Sequence, residues 1–427
     1  MNTEALYQVY LNHPDVQTDT RKIREGELFF ALKGPNFNGN QFAQQAVDAG
    51  AANVIIDEAA FEIPGKTILV PDVLQALQQL AAYHRAQCSF PVIAITGSNG
   101  KTTTKELIHA VLSTTYKTYT TAGNFNNHIG VPLTLLKIKG DAQLAVIEMG
   151  ANHLGEIKGY CAVARPTHGL ITNAGKAHLE GFGSIEGVKK GKGELYDFLR
   201  ERRDGTAFVM WDYDYLRNMS EGIAHIVRYG TTAADVTGTA TGQSGFLTVK
   251  LEQPFTALIS TRLVGDYNLP NVLAAVAVGW HFNVAPEQII AAIEGYTPSN
   301  SRSQLMEKGS NQIILDAYNA NPSSMKLAIE NLAKMEGKSK VLVLGAMAEM
   351  GTETEAEHQQ MIELIGQHSW SDVILVGKPF EPYKGRYRYF ENSSQAAEWL
   401  GAHRPENALL LVKGSRSSQM ERVLEAL

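Results

Sequence analysis

An apolar run, Val92-Ile93-Ala94-Ile95, breaks into Thr96-Gly97-Ser98-Asn99-Gly100-Lys101-Thr102-Thr103 and then into a helical pattern that runs to Leu112. Four apolar residues bounded by a turn fit a strand buried on both faces. Glycines let the backbone after such a strand curl until its N–H groups face one point. The helix that follows adds partial positive charge at its start. Lys101 can reach terminal phosphates, and the Thr102 hydroxyl can ligate Mg²⁺. This stretch therefore dictates a strand–loop–helix unit, an α/β fold and a grip on a polyphosphate. The general pattern wants glycine at the position of Ile95, whereas here the glycine is Gly97.

The rest of the chain separates into three regions by texture. Residues 1–89 hold a strand pattern at Glu27 to Leu32, a Gly/Asn-rich loop at Gly34 to Asn40, a helix from Gln41 to Ala49 and a strand from Asn53 to Ile56. Residues 90–301 continue with strands at Leu144 to Ile147 and Gly169 to Thr172. A Thr-rich alternating stretch from Thr231 to Leu263 reads as β-hairpin, and a helix is expected from Pro270 to Gly279. Residues 302–427 alternate strands (Gln312 to Leu315, Val341 to Leu344, Val373 to Val376, Leu409 to Val412) with helices (Pro322 to Met335, Thr354 to Gln367, Ser393 to Gly401, Ser417 to Leu427). Such alternation implies a parallel sheet covered by helices, with ligands off the carboxyl ends of its strands.

With 427 residues the chain has room for two to four domains, and 44% hydrophobic with 19% charged residues excludes a disordered chain. A net charge of −6 argues against a nucleic-acid partner, so anions must be held by local donors and metal ions. Two cysteines without close spacing argue against a disulfide framework or a zinc site. No secretory signal and no apolar run long enough to span a bilayer are present, so a reducing cytoplasm is the expected location, with no membrane partner.

Thr-Gly-x-Asn-Gly-Lys-Thr resembles the ATP loop of the Mur ligase family. Downstream stretches extend the likeness. Glu148 ends a strand, where a carboxylate facing a phosphate loop suits Mg²⁺. The segment from Asn173 to Glu180 is similar to the family's Asn-x-x-x-x-His-Leu-Glu signature, which implies that His178 ligates a second metal ion. Val188 to Leu195 reads from its residues as a solvated basic turn. The resemblance implies a carbamylated lysine there, placed like Lys192, with Lys189 and Lys190 close by as alternatives. Gly265 to Asn271 reads as a capped helix start. It also resembles the adenine-site motif, with Tyr267 where histidine is usual, which implies nucleotide contacts for Asn268 and Asn271. Arg302 looks like the family arginine that approaches the γ-phosphate.

Asp19-Thr20-Arg21, Lys33 and Asn38-Gly39-Asn40 resemble the UDP-sugar domain of two branches of the family, although Asn-Gly-Asn replaces the usual Asp-Gly-His. Thr121 to Pro132, with Asn124, Asn126 and Asn127, resembles the dipeptide-adding branch. So do Asp316 to Met325, with Asp316, Asn319 and Asn321, and Gly345 to Gly351, where Ala346 stands in the usual place of aspartate. Lys413 and Arg416 complete that set. The likeness implies three α/β domains: a small UDP-sugar domain, a central ATPase-type domain and a C-terminal Rossmann-like domain for the incoming dipeptide. It also implies ATP and Mg²⁺, an acyl-phosphate route, a monomer, and the substrates UDP-N-acetylmuramoyl-tripeptide and D-alanyl-D-alanine. The diamino-acid-adding branch, a folate polyglutamate ligase and a nucleotide-gated switch are the alternatives.

Overall fold

Val92–Thr96 lies inside a nine-stranded sheet, between His168–Ile171 on one side and Leu144–Glu148 on the other. All three strands run parallel, in a register that pairs Ile95 with Glu148 and Thr96 with Ile171. The carboxyl ends of three neighbouring strands thus deliver the Gly97 loop, Glu148 and the Thr172–Asn173 corner to one place. The computed structural model describes residues 1–427 except 242–244, 300 and 338.

Beyond Thr206–Met210 and His225–Gly230 the sheet changes character. The strands Val236–Thr241, Phe246–Gln253 and Ala257–Val264 form an antiparallel edge. The Thr-rich stretch is therefore three strands rather than one hairpin, and residues 242–244 within it lie outside the described residues. Helix Lys101–Leu112 packs against helix Leu269–His281, which carries the buried apolar run Val272–Val278.

The N-terminal unit is a parallel sheet of Val16–Gln17, Leu28–Phe30, Asn53–Ile56 and Thr67–Leu69. Two helices flank it, Thr3–Asn12 and Val73–Ala86, in addition to the elements expected from the sequence. The second packs on the central helices Gly130–Leu136 and Glu156–Ala164, joining the two units.

The C-terminal unit has strand order Gln304–Lys308, Asn311–Asp316, Ala408–Lys413, Ser339–Gly345, Asp372–Val376, Arg388–Phe390. It is parallel except for the antiparallel Gln304–Lys308 edge. Two sequence expectations need correction. Ser417 to Leu427 is not an α-helix: Gln419, with φ +48°, breaks the segment, and Met420–Ala426 coils as a 3₁₀ helix with Met420 and Val423 buried. The basic stretch Val188 to Leu195 is not a solvated turn. It lies inside helix Ile185–Arg200, capped by Ser184, whose buried face includes Val188, Lys192, Leu195 and Tyr196.

Candidate active site

The loop after Val92–Thr96 is pinned from its neighbour strand. Asn173 accepts the Ser98 N–H on its backbone oxygen (2.9 Å) and the Asn99 N–H on Oδ1 (3.0 Å), while the Thr172 hydroxyl donates to Asn99 O at 2.6 Å. The approach requires glycine at 97: its φ is +141°, and a Cβ there would stand 2.0 Å from Thr172 Oγ1. With Ser98 and Asn99 engaged, an anion is left to the first turn of helix Lys101–Leu112, whose N–H groups have no partner within the helix. Lys101 Nζ donates to Gly97 O at 2.6 Å and Ser98 O at 3.2 Å. Burial pushes its ammonium down to about 8, with Arg302 adding to the fall and Glu148 opposing it.

Glu148 is fully buried and already organised. Its Oε2 accepts from Thr102 Oγ1 at 2.8 Å, and its Oε1 accepts from Asn126 Nδ2 at 2.7 Å. A carboxylate and a hydroxyl beside a phosphate loop make an oxygen donor set that fits Mg²⁺. Asn271 closes the back of the loop, accepting from Thr104 Oγ1 at 3.0 Å and donating to Asn268 Oδ1 at 2.8 Å. Asn268 donates in turn to Val264 O, so these two asparagines brace the helix start rather than cap it.

Lys192 has 1% exposure; its Nζ donates to Ala151 O at 2.7 Å and lies 5.0 Å from the Phe182 ring. Burial, reinforced by Lys101, holds its ammonium well below the usual lysine range. Burial separates it from Lys189, which pairs with Glu186, and from the exposed Lys190. As an ammonium it cannot ligate a metal, and the carbamylated lysine that the family resemblance implies needs the neutral amine that this burial favours.

Central and C-terminal units enclose a cavity of ≈ 860 Å³. Ser98, Asn99, Gly100, Lys101 and Thr103 line it, joined by Asn126, Asn127, Glu148, His178, Asn268, Asn271 and Arg302. From the C-terminal unit come Asp316, Asn319, Asn321 and Lys413. Asp316 and Lys413 sit opposite each other on neighbouring strands and form an ion pair at 2.5 Å. The Arg302 guanidinium stacks 3.7 Å from the centre of the Tyr318 ring, which also faces Arg416 at 5.8 Å. The stacking residue Tyr318 escaped the sequence reading, although it sits within the motif that supplied Asp316.

Other expected site residues do not line this cavity. Thr96, Gly97, Thr102 and Lys192 lie behind its wall, Arg416 lies beyond Tyr318, and Asn124 is exposed on its loop. Asp19, Thr20, Arg21, Lys33 and Asn38 belong to the N-terminal unit. There Asp19 caps the turn Thr20–Lys22 and pairs with Arg21, which holds its carboxyl down at about 2. Lys33 pairs with Asp57 at 3.0 Å, and Asn38 donates to Glu58 at 3.1 Å. A smaller cavity of ≈ 300 Å³ adjoins the main one, sharing His128, Glu156 and Tyr160 with it and reaching Gln78 on the N-terminal unit. Where aspartate is usual, Ala346 supplies only backbone, accepting from Ser415 Oγ at 2.6 Å and Ser418 Oγ at 3.0 Å.

A phosphate loop and a metal-suited carboxylate, closed over by a second parallel-sheet unit, define a nucleotide-dependent α/β enzyme that works between domains. The "Mur ligase family, catalytic domain" matches residues 15–85, the "Mur ligase middle domain" 95–279 and the "Mur ligase, glutamate ligase domain" 301–416. UDP-N-acetylmuramoyl-tripeptide--D-alanyl-D-alanine ligase of Escherichia coli (strain K12) is 39% identical over 424 residues, covering 96% of this chain and 93% of that protein. The Bacillus subtilis (strain 168) protein of the same name is 36% identical over 433 residues, covering 96% and 92%. A crystal structure of MurF from Acinetobacter baumannii superimposes with a TM-score of 0.89 at 30% identity, covering 99% of this chain and 98% of that one. MurF ligase from Thermotoga maritima, solved in complex with ADP, gives 0.85 at 27% identity, with 97% of each chain covered. The chain belongs to the Mur ligase family.

Proposed function

We propose that this protein is an ATP-dependent ligase that joins D-alanyl-D-alanine to UDP-N-acetylmuramoyl-tripeptide in peptidoglycan precursor synthesis. The observation that carries this reading is the single cavity in which the phosphate loop, Glu148 and Arg302 meet Asp316 and Lys413 of the C-terminal unit. Such a cavity can hold a nucleotide's terminal phosphate and an incoming amine side by side.

Joining a carboxylate to an amine in water is uphill, so the acid must be activated. The terminal carboxylate of the tripeptide attacks the γ-phosphorus of ATP, a new O–P bond forms, and ADP leaves. The dipeptide amine then attacks the acyl carbon, loses a proton, and expels phosphate. Lys101, the first turn of its helix and Arg302 spread positive charge around the transferring phosphoryl group. Mg²⁺ held by Glu148 and Thr102, with a second ion held by His178 and the carbamate of Lys192, would neutralise phosphate charge. Asn268 and Asn271 stand on the adenine side. Asp19, Thr20, Arg21, Lys33 and Asn38 take the UDP end of the substrate, while Asn124, Asn126 and Asn127 take its sugar–peptide stem. Asp316, Asn319, Asn321, Lys413 and Arg416 frame the dipeptide. Docking of the C-terminal unit aligns the reactants and excludes water.

No helix among the described residues is long and apolar enough to cross a membrane. We assign the protein to the cytoplasm as a monomer. Incubating it with ATP, Mg²⁺ and UDP-muramoyl tripeptide, with either D-alanyl-D-alanine or single amino acids, tests the whole reading by the mass of the product. Addition of a single diamino acid in place of the dipeptide would overturn it.

A further inference from the structure

Two non-glycine residues with left-handed backbone meet across the central and C-terminal units. His178 has φ +53° and Glu349 has φ +62°. His178 Nδ1 lies 2.5 Å from Glu349 Oε2. Such backbone is uncommon outside glycine and persists where the surroundings enforce it, and functional sites collect such residues. Here the surroundings are visible: the Glu180 N–H reaches Glu349 O at 3.4 Å. Nδ1 itself is buried without a hydrogen-bond partner, and the group in contact with it is the Glu349 carboxylate. His178 lines the main cavity and Glu349 does not. An imidazole that turns Nδ1–H to a carboxylate presents a bare Nε2 on its other edge. Carboxylates in this position fix the tautomer and orientation of metal-ligating histidines.

We propose that Glu349 is a positioning residue that acts through His178, setting its tautomer and aiming its Nε2 at a metal ion on the bound nucleotide. Because Glu349 belongs to the C-terminal unit, the ligand set of the central unit is complete only when the two units are docked. The inference rests on the metal–nucleotide reading of the site. A second ion pair crosses the same interface without touching His178. It joins Lys176 Nζ to Glu357 Oε1 at 2.6 Å, and the Glu357 side chain is 3% exposed. That pair supplies the control, since its loss acts on the metal only through docking.

The test is Mn²⁺ binding, read from the paramagnetic signal of the free ion, to the full chain saturated with a non-hydrolysable ATP analogue. X-ray scattering on the same samples reports docking. Glu349→Gln is expected to weaken Mn²⁺ binding by about ten- to a hundredfold. His178→Asn should do the same, and the double variant should be no worse than His178→Asn. Glu349→Asp should recover part of the loss, and Glu357→Gln should lower metal affinity only as far as the scattering shows docking to be lost. Wild-type Mn²⁺ affinity in Glu349→Gln would overturn the inference. So would losses that add in the double variant, or an equal loss in Glu357→Gln while the scattering shows the units still docked. A wild-type protein that takes up no Mn²⁺ with the analogue would instead sink the metal–nucleotide reading beneath it.

Discussion

The side-chain amides of Asn99 and Asn321 lie face to face, with Asn321 Nδ2 donating to Asn99 Oδ1 at 2.8 Å. The first belongs to the phosphate loop. The second is the N-cap of helix Pro322–Lys334, where its Oδ1 accepts from the Ser324 N–H at 2.9 Å. One contact therefore ties the nucleotide grip to the first turn of a C-terminal helix. Asn99→Ala removes the bridge and leaves the cap intact. Losing a hydrogen bond of about 0.5–1.5 kcal/mol predicts a two- to tenfold fall in turnover, with the melting temperature nearly unchanged. A double-mutant cycle with Asn321→Ala should show coupling, and strictly additive losses would show that the two amides act separately.

Lys101 reaches the loop carbonyls, and on the proposed function it turns to the terminal phosphate when nucleotide is bound. Lys101→Ala should abolish ATP-dependent phosphate release, by roughly 10²- to 10³-fold or more, the scale for deleting one charge-stabilising donor. Circular dichroism should show the fold intact, because the side chain's partners are backbone oxygens at the cavity edge. Normal turnover in this variant would contradict the site.

At Gly97 the constraint is steric. With φ +141° and Thr172 Oγ1 only 2.0 Å from where an added methyl carbon would stand, Gly97→Ala must displace either the loop or the Thr172 strand end. Unfavourable backbone alone costs about 1–3 kcal/mol, so denaturant midpoints should fall and nucleotide affinity should fall further. An alanine variant that binds nucleotide as tightly as the native protein would show that the loop relaxes freely.

His168 gives a pH dependence far from the phosphate loop, at the opening end of its strand. Its Nε2 faces His281 Nε2 at 3.2 Å, its Nδ1 meets the Thr167 hydroxyl at 2.8 Å, and Asp204, Arg202 and His225 stand nearby. Burial first, and His281 second, hold its protonation down at about 3, against 6.5 for a free imidazole. Between those two values the unfolded chain carries the extra proton. Stability should therefore be whole above pH 6.5 and drain away as the pH falls toward 3. Phenylalanine suits a ring already packed among Phe208, His281 and Phe282. In His168→Phe the urea midpoint should drop less between pH 7 and pH 4.5 than in the native protein. Parallel drops would assign the acid sensitivity elsewhere.

The sequence by itself determined the local units. The Gly97 loop, the strand ending at Glu148, the helix that opens on Pro322 and the alternation after residue 302 were legible because each is written in adjacent residues. Turn chemistry, apolar periodicity and helix caps act over a few positions. The same locality misled at Met420–Ala426, whose spacing suits an α-helix until the left-handed Gln419 and the packing of Met420 and Val423 decide otherwise. Only the tertiary structure decided which residues share the cavity. The bridge from Asn99 to Asn321 spans 222 positions, and the Lys176–Glu357 pair spans 181. Lys192 could be told from Lys189 and Lys190 only by burial, since helix Ile185–Arg200 turns one of the three inward and leaves the others at the surface. Contacts of that kind depend on how sheets and helices stack, and no stretch of neighbouring residues encodes that alone.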